Sequence, residues 1–138
     1  MAKRSRTRKK LSRQQMREMD IEIGFLEGVV RRDPQYIEAL RLLSDDCLLR
    51  GLYERGLEID EQLTQLQPQD PQVYFNLACS YSVTGQPRAA ADALSLAIDY
   101  GYQDWKWIAR EASLENLRQH ACYQDLLTKI QAIMTPVA

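Results

Sequence analysis

Six cations crowd into eight residues at the start of this 138-residue chain: Lys3, Arg4, Arg6, Arg8, Lys9 and Lys10. Such a segment can neutralise several phosphates at once, which gives salt-sensitive binding without sequence preference. No aromatic residue is interleaved to stack on bases, so base-specific recognition is not indicated. An anionic membrane surface, a localisation signal, an acidic protein or a solubilising tail fits the same residues. Residues 1–17 hold eight Lys and Arg and no acid. The other 121 residues then carry ten basic and nineteen acidic groups, a net of −9. The head could therefore fold onto its own body and mask it.

Catalytic chemistry is poorly provided for. The chain has no Gly-rich phosphate loop, no GxSxG and no metal-ligand spacing. His120 is the one histidine, so a tetrahedral zinc site lacks ligands, and no cofactor is implied. His120 and Cys122, two apart on a helix, are expected to point in different directions. Asp45-Asp46 and Asp60-Glu61 are adjacent acids that should splay onto solvated faces. Cys47, Cys79 and Cys122 sit in helical patterns beside apolar residues and read as reduced, buried thiols of a cytoplasmic protein. Residues 11–24 are too polar for the apolar core of a signal peptide, and no stretch is long and apolar enough to cross a bilayer. The expectation is a non-enzymatic protein.

The elements that position these groups follow from a 34-residue self-repeat. Laying residues 34–67 over 68–101 puts Pro34 on Pro68, Leu43 on Leu77, Gly51 on Gly85 and Gly56 on Ala90. Self-similarity at this period marks stacked helix–turn–helix units. Residues 1–11 lack periodicity and apolar groups and read as a disordered basic tail. From Ser12 an apolar stripe of Ile21, Phe25 and Val29 with Ile23, Leu26 and Val30 predicts a helix ended by Asp33-Pro34. Further helices are expected at about 35–50 and 53–67, separated by Gly51. A second pair is expected from Asp70-Pro71 to Thr84 and from Pro87 to Gly101. Asp104 should cap a short helix, Ser113 to Leu117 one more turn, and 121–134 a last helix with Tyr123, Leu126, Leu127, Ile130 and Ile133 inward. Of Trp105 and Trp107, helical spacing turns only one inward. No segment alternates like a half-buried strand, so the chain reads as all-α.

Tyr74, Leu77, Ala78, Tyr81, Ala90, Leu94 and Ala97 resemble the tetratricopeptide repeat, and Leu40, Leu43, Ser44, Cys47, Gly56, Leu63 and Pro68 match it more loosely. Asp60 departs from the pattern, where a large apolar residue is usual. Leu114, Leu117 and Arg118, followed by Tyr123, Leu126 and Leu127, resemble the capping end of short bacterial arrays. The resemblance implies an antiparallel helix-pair solenoid over 12–134: a half-repeat 12–34, repeats 35–68 and 69–102, and capping helices 104–134. It also implies a concave groove lined by the first helix of each unit, at Glu38, Arg41, Asp45 and Leu48, then Gln72, Phe75, Asn76, Cys79 and Ser82, with Lys106 and Arg110 joining if the array continues.

Some members of this family grip a C-terminal carboxylate with a cation and Asn from the first helix, Asn from the second and two cations from the third. Arg41, Asn76, Lys106 and Arg110 match that pattern, whereas Asp45 stands where Asn is expected. The plain alternative pairs Arg41 with Asp45 on a solvated helix face. The expected function is a protein–protein adaptor binding a peptide or protein segment, with self-association possible for so short an array. The alternative is a nucleic-acid- or ribosome-associated accessory protein anchored by the tail.

Overall fold

The computed structural model of the chain describes residues 10–135, which form eight α-helices and one 3-10 turn with no strand. Of the expected basic tail, Lys10 is described and exposed, while Lys3, Arg4, Arg6, Arg8 and Lys9 lie outside the described residues. No helix among the described residues is long and apolar enough to cross a membrane.

Local chemistry sets each boundary. Ser12 caps α1 (Arg13–Arg32): its Oγ accepts the Gln15 N–H at 3.1 Å while Gln15 Oε1 accepts the Ser12 N–H at 2.9 Å. Asp33-Pro34 stops it. Helix α2 (Ile37–Arg50) ends at Gly51, whose φ of 89° suits a residue without a Cβ. The next N–H, of Leu52, then reaches back to the Cys47 carbonyl at 2.7 Å. The same arrangement recurs 34 residues on, where Gly85 takes φ 76° and the Gln86 N–H meets the Tyr81 carbonyl at 2.9 Å. Helix α3 spans Tyr53–Leu66. Asp70 caps α4 (Pro71–Val83) by accepting the Gln72 N–H, and Pro87 opens α5 (Pro87–Asp99). Asp104 caps the short α6 (Trp105–Arg110). The 3-10 turn Ala112–Leu114 leads into α7 (Glu115–Arg118), and α8 (Cys122–Met134) closes the fold.

Packing follows chain order. Helix α1 lies on α2, α2 on α3, α3 on α4 and α4 on α5. The 3-10 turn and α7 then turn back over α4, and α8 packs on α5. Two apolar cores result. One joins α1, α2, α3 and Val73 around Leu26, Leu40, Leu43 and Leu63; the other joins α4 to α8 around Phe75, Leu94, Leu114 and Leu117. Arg55 of α3 grips Glu27 of α1 with two N–H groups, at 2.9 and 2.6 Å, and this pairing holds the Glu27 carboxyl below its usual range.

Several expectations are corrected. Ile21 and Phe25 are exposed, so only the Ile23, Leu26, Val30 side of the α1 stripe is buried, with Val29 partly so. Ile133 is exposed in the last turn of α8. Both Trp105 and Trp107 pack half-buried against the second core, because Ile108 takes the fully inward position on so short a helix. Cys122 is only partly buried, unlike Cys47 and Cys79. Asp46 and Asp60 are buried rather than solvated. Asp60, which falls on Leu94 in the repeat, accepts hydroxyl protons from Ser44 of α2 and Ser80 of α4, both at 2.5 Å. Two hydroxyls from neighbouring units thus compensate the desolvation of a carboxylate set between the two cores.

Candidate functional site

The face offered by α2 and α4 is open at one end and closed at the other. On α2, Glu38 is exposed, Arg41 and Asp45 are half-buried, and Leu48 is 1% exposed. On α4, Gln72 and Asn76 are half-buried, but Phe75, Cys79 and Ser82 are buried. Leu48, Phe75 and Cys79 therefore leave the expected ligand-facing set, as does Ser82. The Phe75 ring stacks nearly parallel on Tyr102, with centroids 4.6 Å apart. Ser82 is covered by the turn back over α4: its Oγ accepts the Leu117 N–H at 3.2 Å and its carbonyl accepts from Asn116 Nδ2 at 2.9 Å. The Leu114/Leu117 pair was the sequence signal for this cover, since two buried leucines three apart need a surface to bury against.

Along the open end runs a row of polar side chains. The Arg41 guanidinium pairs with Asp70, across to the start of α4. Asp70 also accepts the Gln72 N–H at 2.9 Å, and Gln72 Nε2 donates to Asn76 Oδ1 at 3.0 Å. The N-cap of α4 thereby doubles as the anchor that orients a cation from α2. The second core closes the far end, where burial pushes the Tyr102 hydroxyl far above its usual range and the nearby Asp104 and Glu111 carboxylates push the same way. Lys106 and Arg110 are exposed on α6.

One 80-residue stretch of the chain resembles a curated chloroplastic protein of Arabidopsis thaliana. It covers 56% of this chain and is 35% identical to that protein. The match spans 24% of the plant protein, so the likeness concerns about a quarter of its length. No family model matches the chain.

His120 and Cys122 meet, contrary to the helical expectation. Their Nδ1 and Sγ atoms lie 3.0 Å apart because His120 sits in the turn before α8 rather than on the helix. The Cys122 N–H also lies 3.2 Å from the same Nδ1. Cys122 Sγ also faces the Pro87 carbonyl at 3.5 Å. The contact pins the start of α8 to that of α5.

Proposed function

We propose that this chain is a non-catalytic, tetratricopeptide-like adaptor that takes a protein segment along the open end of the α2/α4 face. The observation that carries the reading is the hydrogen-bonded row Arg41–Asp70–Gln72–Asn76 across two successive helix pairs. Gln72 and Asn76 use one side-chain group each on the other, which leaves Gln72 Oε1 and Asn76 Nδ2 as an acceptor and a donor. That combination matches a peptide group, so an extended segment can be held through its backbone. A C-terminal carboxylate is a poorer match, since Asp70 already engages Arg41 and Asp45 stands one turn further along α2. A labelled peptide with a free C-terminus and its amidated form should accordingly bind alike. The buried thiols Cys47 and Cys79, neither in a disulfide, suit a reducing compartment, and we read the protein as cytoplasmic.

Affinity capture with full-length and tail-deleted protein, with and without nuclease, tests this. Partners that survive both treatments and are lost with Asn76→Ala support the adaptor. A second reading draws on Lys10, Arg13 and Arg17, exposed at and before the start of α1, which prolong the cationic run. In that case the chain is a nucleic-acid- or ribosome-associated accessory protein, and capture is abolished by nuclease or by deleting residues 1–13.

A further inference from the structure

Helix α1 keeps an apolar seam that its own fold does not use. Gln14, Glu18, Ile21, Phe25, Gly28 and Arg32 follow one another at alternating steps of four and three, the spacing of a coiled-coil contact line. Ile21 is 74% and Phe25 69% exposed. The helix at the other end differs, since the long exposed side of α8 holds Gln124, Asp125, Thr128 and Gln131 and its exposed Ile133 and Met134 lie in the last turn. Stacked helical arrays need polar outer faces at their ends. Helix α1 lacks one.

Two glycines strengthen the point. Gly24 and Gly28 lie inside this exposed helix, where glycine is less favourable than alanine by about 1 kcal/mol each. Among the described residues, a Cβ on either would meet nothing within 4 Å. None of the described residues asks for them, whereas close approach of another helix would.

We propose that the outer face of α1 is a self-association surface on which a second copy of the chain lays its own α1 antiparallel. The seam is self-complementary in that direction. Turning a second α1 about the midpoint of Ile21 and Phe25 sets Ile21 against Phe25, Glu18 against Gly28 and Gln14 against Arg32 of the other copy. Glu18 then lies one turn from that Arg32. Parallel pairing would instead set Glu18 on Glu18 and Arg32 on Arg32. With two large apolar residues per copy the contact is small, so the dimer forms at roughly micromolar concentrations or above.

Sedimentation velocity on the full chain from about 5 to 500 μM provides the test. The wild type should shift toward dimer with concentration. Phe25→Glu should weaken association by at least about tenfold with an unchanged melting temperature, since the side chain is exposed in the monomer. A double Gly24→Ala/Gly28→Ala variant should melt higher when dilute yet associate less. Gln14→Cys mixed with Arg32→Cys should form a disulfide-linked pair under mild oxidation. A wild type that stays monomeric throughout overturns the proposal, as does association that Phe25→Glu leaves intact. Cross-linking of Gln14→Cys only to itself overturns the antiparallel arrangement.

Discussion

Asp60 shows how one residue can be out of pattern and still well placed. Its carboxylate takes both the Ser44 and the Ser80 hydroxyl, so truncation strands two buried donors as well as opening a gap. Asp60→Ala should lower the unfolding free energy by about 2–4 kcal/mol in urea titrations. Ser44→Ala alone should cost less, because Ser80 still satisfies one carboxylate oxygen. The thiols divide similarly by environment. Burial pushes Cys47 up to about 12 from an ordinary value of 9.0. An unfolded chain therefore loses this proton first, and stability falls as pH rises from 9 toward 12, by up to about 1.4 kcal/mol per pH unit. Cys47→Ala should flatten that limb of a pH–stability curve. With a thiol reagent at pH 8, Cys122 should react before unfolding, and Cys47 and Cys79 only after it.

Helix ends were legible because their causes are local. Ser12, Asp33-Pro34, Gly51, Asp70-Pro71, Gly85, Pro87 and Asp104 each act within a few residues, and the helices start or stop within about two residues of where they imply. Helix faces were not, since burial depends on distant neighbours. Ser44 and Ser80 lie 16 and 20 residues from Asp60, and Asp70 lies 29 residues from Arg41. No local rule reaches that far. The candidate site suffered most: Phe75, Cys79 and Ser82 were lost to the second core, which residues 112–118 complete by packing back over α4 from outside the repeat period. Where the period does hold, it makes a prediction about α3. A Cβ on Gly56 would lie 3.7 Å from Cys47 Cβ and from the Ser44 carbonyl, an ordinary contact, and alanine already fills the repeat-related position 90. Gly56→Ala should raise the melting temperature, corresponding to about 0.5–1 kcal/mol.

At the scale of the whole molecule, stability is graded along the chain. Helix α1 packs chiefly on α2, whereas α4 is held by α3, α5, α7 and the 3-10 turn. Amide exchange should then be fastest in α1 and slowest in α4, and hydrogen-exchange mass spectrometry can read this helix by helix. Uniform protection would mean that the two cores open as one. The chain-order packing of α1 to α5 also has a mechanical side. Stretched between its two ends by an optical trap, such a chain gives way one hairpin at a time, beginning at α1, and takes up slack at low force. Arg118, whose guanidinium holds the Ile108 carbonyl and Glu115, acts at the other end as a latch that must slip before α6 can peel away. The molecule is thus a spring with one soft end and one fastened end, and a partner that tugs on it would extend the soft end first.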